Sequence, residues 1–343
     1  MSTTDLYSEL FLMSQLIALP LIAILAILLA KVPAIAQFGL SALPLAIMLG
    51  MVVGHVNTRV AVGKEITFIC FCQQKLLRAG IILFGFSLSF QQIISVGWQA
   101  IVLDMLVITS VFCAGTYVGI RFFKLDKELA ILTSVGSAIC GAAAILATES
   151  VLKPRQQHVT VAVASVVLFG TLAMFSYPFI YQFSGMSEQA FGIYIGSTVH
   201  EVAQAVAAGE AVGGEALQNA VVVKLIRVMM LAPFIFILSA FLLRSSDRNS
   251  ARTSGGGIAI PWFVFGFMAA SGINSVLLLP EALLSTLQLA SQFSLAIAMA
   301  ALGVQTRWSI IRQAGAKPMV LSLMLFVMLI FGGFYLNQWL IVA

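Results

Sequence analysis

A chain of 343 residues that is 61% hydrophobic and only 9% charged excludes a soluble globular protein, in which about 25% of residues are charged and the outside must face water. The net charge of +5 does not point to nucleic acid, because the basic residues stand scattered at the ends of apolar runs, as in loops beside a membrane. What remains is an all-α polytopic membrane protein, read as a single integral membrane domain over residues 1–343.

The first apolar run follows the acidic stretch TTDLYSEL rather than a basic one, and no A-x-A site closes it, so no cleavable leader is expected. A helix crosses the bilayer with about 17–25 apolar residues. Eleven segments qualify, near 14–31, 38–54, 76–92, 98–120, 128–149, 157–181, 189–209, 217–243, 260–279, 283–304 and 318–341. Ahead of the third, GKEITFICFCQQK predicts an interfacial helix leading into the span. Cys70, Cys72, Cys113 and Cys140 all lie in apolar segments. The CFC spacing fits neither a redox nor a zinc motif, so they read as small packing residues.

Orientation follows from the 18 Lys and Arg. With eleven crossings, thirteen of them (Arg59, Lys64, Lys75, Arg78, Arg121, Lys124, Lys127, Arg244, Arg248, Arg252, Arg307, Arg312 and Lys317) share one side. Lys31, Lys153 and Arg155 face the other, and Lys224 and Arg227 lie within segment eight. Cytoplasmic loops are the basic ones, which puts the N-terminus inside and the C-terminus outside. Lys153 and Arg155 join the majority if segments five and seven dip in and return instead of crossing. Charge alone leaves both arrangements open.

The chain also repeats itself. LPLAIMLGMVVGHVN (43–57) aligns with IPWFVFGFMAASGIN (260–274), and GFSLSFQQIISVG (85–97) with GVQTRWSIIRQAG (303–315). The repeats run over about 43–120 and 260–338, a displacement of seven helices. An odd displacement inverts the copy, the architecture of secondary transporters.

A second likeness concerns GSAICGAAAILA from Gly136 and GSTVHEVAQAVA from Gly196. Both open on Gly-Ser (Gly136 and Ser137, Gly196 and Ser197) and continue in small residues, the first through Gly141. Glycine frees the backbone to leave a helix. A helix starting there would aim a serine-capped, positive N-terminus inward, and two such starts facing each other would hold an anion. The competing account is a pair of tight helix-packing faces.

Within the second stretch stand His200 and Glu201, ionisable residues in a span, where such groups usually face a cavity or a partner. Each could change charge near neutral pH, which suits proton coupling; the alternative is that the two satisfy one another. A zinc protease needs H-E-x-x-H, and Gln204 stands where the second histidine belongs, so no metal site is expected. In VVVKLIRVMM, Lys224 and Arg227 share a helix face. They could pair with Glu201, line an anion path, or snorkel to the interface. Arg78 reads as an edge residue, and Asp104 is a further intramembrane acid without a basic neighbour in sequence.

These stretches, with LLRAGIILFGFSLS (77–90), VVVKLIRVMMLAP (221–233) and MAALGVQT (299–306), resemble the YeiH-type family of proposed sulfate exporters, bacterial inner-membrane proteins in the bile acid/arsenite/riboflavin transporter grouping. The resemblance implies an inverted-repeat secondary transporter of the crossed, discontinuous-helix type, in the inner membrane, with a homodimer as default assembly. It carries Gly136, Ser137, Gly141, Gly196, Ser197, His200, Glu201, Lys224 and Arg227 over to this chain, without assigning their roles.

The expected function is export of a small anion such as sulfate. Gly136, Ser137, Gly141, Gly196, Ser197, Lys224 and Arg227 would bind it, and His200 and Glu201 would couple it to protons, with no cofactor and no metal. The alternative is a proton-coupled cation antiporter binding at Glu201 and Asp104; two buried cations against two acids do not decide. A sensor or assembly factor would bring a soluble domain, and the longest polar loop, RSSDRNSARTSGGG (244–257), is only a flexible linker. No nucleophile–base set marks an enzyme.

Overall fold

The computed structural model describes residues 3–32, 41–56, 64–245, 262–277, 279–306 and 315–342, and among these the secondary structure is helical throughout. By length and composition, six helices can cross a membrane: Ile66–Ser87, Gly97–Arg121, Gln156–Ser184, Gly214–Phe241, Glu281–Gln305 and Ala316–Val342. The chain divides into two compact units. The loop expected over 244–257 falls almost entirely outside the described residues.

Unit 1 holds residues 1–95, 206–213 and 262–308. It contains α1 (Thr3–Ala30), α2 (Ala42–Val56), α3 (Lys64–Phe71), α4 (Leu77–Phe84), α5 (Phe90–Ser95), α14 (Trp262–Val276) and α15 (Glu281–Gln305). The helix expected at the interface ahead of span three is instead continuous with it. A π turn over Cys72–Leu76 joins α3 to α4 and keeps the backbone paired. Glycines set the packing. Gly50 and Gly54 of α2 press on the backbone of Ala300 and Val304 in α15, leaving no room for a side chain. Ser291 Oγ donates to Gly80 O at 2.7 Å, tying α15 to α4. Ser271 Oγ donates to Leu88 O at 2.9 Å, holding α14 at the end of the same span. Glu210 accepts from Leu43 N at 2.9 Å, satisfying an orphan donor at the start of α2.

Unit 2 holds residues 96–205, 214–261 and 309–343. Its helices are α6 (Gly97–Arg121), α7 (Lys127–Ala138), α8 (Ala142–Leu152), α9 (Gln156–Ser184), α10 (Glu188–Thr198), α12 (Gly214–Met229), α13 (Leu231–Ser245) and α16 (Ala316–Asn337), with the first turn of α11 (Val202–Val212). The fifth predicted segment is α7 plus α8, and it does not cross. A continuous helix would set Glu128 and Arg155 about 40 Å apart, yet Arg155 N donates to Glu128 Oε2 at 3.4 Å. His158 lies 3.1 Å from both Glu128 and Asp126. The two arms therefore begin and end side by side. Between them Leu129 and Leu132 of α7, Ile145 of α8 and Val159, Ala162 and Val166 of α9 form one apolar cluster.

The turn-back happens at Ile139–Gly141. Gly141 N donates to Gly136 O at 3.0 Å, the six-to-one closure that ends a helix. Gly141 itself adopts φ 68°, ψ −132°, a region open to glycine alone. A Cβ there would also lie 2.5 Å from Cγ of Glu201. Gly141→Ala is therefore expected to lose about 1–3 kcal/mol from backbone strain, with steric conflict added. Thermal unfolding in detergent should show the loss, against an unchanged Gly214→Ala control, where the added methyl meets open space.

The seventh segment turns back in the same manner. Gly192 of α10 packs on Ala216 and Asn219 of α12, and Gly196 on Ala220 and Val223, so α10 and α12 run parallel and level. The chain leaving α10 at Thr198 must then return to the depth of Gly192 to begin α12 at Gly214. The long helix α9 fixes the sense of the two hairpins. Its first turn, at His158, adjoins the base of the first. Its last turns adjoin the base of the second, with Tyr181 5.0 Å from Phe191 and Tyr177 stacked at 4.9 Å on Tyr194. Because α9 is long enough to cross a membrane, the hairpins enter unit 2 from its two opposite ends. Two of the eleven predicted crossings are thus re-entrant, and the implied crossed, unwound helices are opposed hairpin tips.

Candidate functional site

The tips meet inside unit 2. Glu201, at the tip of the second hairpin, places Oε1 3.4 Å from Ala142 N, the first amide of α8 in the other. A carboxylate thus sits where the N-terminal dipole of a helix favours it. Gln204, three residues on, accepts from Glu201 N at 3.1 Å, one half of a capping box. Its amide then donates to Val167 O at 3.2 Å and Thr171 Oγ1 at 3.4 Å of α9, fastening the tip to the long helix. The residue that breaks the zinc motif is the one that shapes this turn.

The two half-helices α7 and α10 end at the same place, and both ends expose carbonyls that have lost their partners. Lys224 and Arg227 of α12 supply them. Lys224 Nζ donates to Val199 O and, at 3.4 Å, to Ile139 O, so one ammonium bridges both tips. Arg227 donates to Ala138 O through Nε at 2.9 Å and through Nη2. Both side chains are at most 1% exposed. They do not snorkel. Two cations on two negative helix ends offset much of the desolvation cost of burying them.

The Gly-Ser pairs are therefore placed differently from the sequence expectation. Gly136 and Ser137 lie in the last turn of α7, and Gly196 and Ser197 in the last turn of α10. They close helices instead of starting them, because the geometry breaks three residues later. Their glycines serve packing. Gly136 lies against Ile145 and Val166, and Gly196 against Val223 and the carbonyl of Ala220. Ser197 Oγ donates back to Tyr194 O at 3.1 Å.

His200 and Glu201 do not satisfy one another. Both ring nitrogens of the buried His200 lack a protein partner, and its ring stands 6.4 Å from that of Phe326. Among the described residues, no carboxylate oxygen comes within 4.0 Å of Lys224 or Arg227, so of the three readings of these cations, direct pairing with Glu201 is absent. Lys224 nonetheless lies near Glu201, and both cations lie near His200 and Asp104. Asp104, without a charged neighbour in sequence, joins the cluster through tertiary packing. Arg78 belongs to unit 1, its guanidinium 5.8 Å from the ring of Phe263.

Around the junction lie buried polar atoms with no partner: both oxygens of Asp104, Ser137 Oγ, both nitrogens of His200 and Arg227 Nη1. Such atoms are rare in a finished core, and a cluster of them calls for an explanation, a water or an ion being among the groups that satisfy them. Tyr177 and Tyr194 wall one side. Tyr177 donates to Thr198 Oγ1 at 2.8 Å, and Tyr194 to Ile330 O of α16 at 2.8 Å. Among the described residues, no three His, Cys, Asp or Glu group as metal ligands would.

The model of the family Conserved hypothetical protein 698 matches residues 14–322. The chain is 48% identical over 314 residues to the UPF0324 inner membrane protein YeiH of Escherichia coli K12, covering 90% of this chain and 88% of that one. It is 46% identical over 320 residues to the UPF0324 membrane protein PA5383 of Pseudomonas aeruginosa, covering 91% and 90%. A UPF0324 membrane protein of Yersinia pestis is 46% identical over 322 residues, covering 91% and 88%. No solved structure matches.

Proposed function

The chain belongs to the conserved hypothetical protein 698 (UPF0324) family of membrane proteins, and from its site we propose that it is a secondary carrier of a small anion, sulfate being the first probe, and not an enzyme. One observation carries this. Lys224 and Arg227 are buried where two opposed hairpin tips meet, and Arg227 Nη1, Ser137 Oγ and the ring of His200 remain there as unspent hydrogen-bonding groups. An oxyanion would satisfy them, and the tips are the parts of a transporter that hold a substrate at mid-depth.

Topology supports the same assignment. With segments five and seven re-entrant, Lys153 and Arg155 join the basic side, and every Lys and Arg outside segment eight except Lys31 then lies there. The acidic Glu188, Glu215 and Glu281 fall opposite. By the positive-inside rule the N-terminus is cytoplasmic and the C-terminus external, in an inner membrane. In unit 1, α2 rests on α15 while α4 rests on α14. Those are the reciprocal pairings an inverted repeat of 43–120 and 260–338 calls for.

A second function, a proton-coupled cation antiporter, draws on the two unpartnered oxygens of Asp104. Proteoliposomes separate the two. Labelled sulfate should enter vesicles preloaded with unlabelled sulfate, and a pH gradient should drive net movement. Absence of sulfate flux, with proton flux evoked by sodium or potassium, would reject the anion carrier in favour of the antiporter.

A further inference from the structure

Asp104 lies on α6, fully buried, and neither of its oxygens has a partner. Its depth relative to Arg227 follows from an aromatic pair. Phe112 meets Phe234 edge-on at 4.9 Å. Asp104 stands about two turns before Phe112, and Arg227 about two turns before Phe234, at the helical repeat of 3.6 residues. The carboxylate and the guanidinium are thus level, with Arg227 Nη1 also unpartnered, and no ion pair closes between them among the described residues. The charged groups that face Asp104 from the packed helices are Arg227 and Lys224 of α12.

The charge count then constrains what can bind. With all four ionised, Asp104 and Glu201 balance Lys224 and Arg227, and the formal charge of the buried cluster is zero before any ligand arrives. An anion added alone would leave an uncompensated charge in a low-dielectric interior, at a cost of several kcal/mol or more. Each proton taken up with it removes one unit of that charge, so a proton on Asp104 cancels one of the two units that sulfate brings. Glu201 is already engaged as the cap of α8, whereas neither oxygen of Asp104 makes a hydrogen bond.

We propose that Asp104 is the proton-binding carboxylate of this site: the anion docks on Arg227 Nη1, and a proton from solvent adds to a free oxygen of Asp104. On release both leave, and the Asp104 carboxylate again faces Arg227. No other bond is made or broken. This rests on the anion-carrier assignment for the identity of the co-substrate, but the proton site can be read without it.

The test is infrared difference spectroscopy of the full chain in lipid vesicles, following the C=O stretch of a protonated carboxylic acid. The pH is stepped first in sulfate-free buffer; sulfate is then added at fixed pH. The band should rise on acidification and on sulfate addition, vanish in Asp104→Asn, shift but persist in Asp104→Glu, and remain in Glu201→Gln. A band that tracks Asp104 with pH but ignores sulfate would uphold the proton site and reject sulfate as the anion. A band unchanged in Asp104→Asn, or lost in Glu201→Gln instead, would overturn the proposal. So would a band constant at every pH, which would make Asp104 a permanently neutral packing residue. Asp104→Glu guards against the chance that the asparagine variant does not fold.

Discussion

Lys224→Met should be the most damaging single substitution in the chain, lowering stability by about 3–5 kcal/mol. The methionine nearly fills the space of the lysine stem, so packing is not what is lost. The loss is electrostatic. Carbonyls of Ile139 and Val199, at the negative ends of two half-helices, would lose their shared donor, and the two acids of the cluster would face Arg227 alone. Thermal unfolding in detergent reads the effect as a lower midpoint. Lys224→Arg, which keeps the charge, should restore part of it. A midpoint unchanged in Lys224→Met would mean that the ammonium does not hold the tips together.

Gln204→Ala should follow closely, at about 2–3 kcal/mol, because it strands the buried donor of Glu201 and removes the amide that ties the tip to α9. Gly170 allows that contact, since the Gln204 amide occupies the space where a Cβ would stand. Faster hydrogen exchange at residues 199–205 distinguishes loss of the tip from a general loosening. Exchange that rises equally across α9 and α12 would contradict a local role.

The membrane class, the helical segments and a helix break within 136–147 and 196–209 were all legible in the sequence, because apolar length and Gly-Ser repetition are local signals. The sense of those stretches was not. Gly136 and Gly196 announce a departure from the helix, but whether it lies before or after them depends on where the next glycine or capping side chain sits. Here Gly141 takes a conformation denied to other residues, and Gln204 caps the turn after Glu201. Re-entrance was hinted at by Lys153 and Arg155, misfits in the charge count. It became visible only through contacts between residues 128 and 155–158. Asp104 stood out only as an isolated intramembrane acid, since Lys224 and Arg227 are more than a hundred residues away in sequence and reach it through α12.

Opposed re-entrance is decided most directly by sided labelling. In a chain whose four cysteines (Cys70, Cys72, Cys113 and Cys140) are replaced, single cysteines go in at Lys124, Lys153, Ser187 and Gly214, all exposed. An impermeant thiol reagent is then applied to inside-out and right-side-out vesicles. Lys124→Cys and Lys153→Cys should react from one face, and Ser187→Cys and Gly214→Cys from the other. Labelling of Lys124→Cys and Lys153→Cys from opposite faces would mean that the fifth segment crosses, and the meeting of two hairpin tips would fall with it.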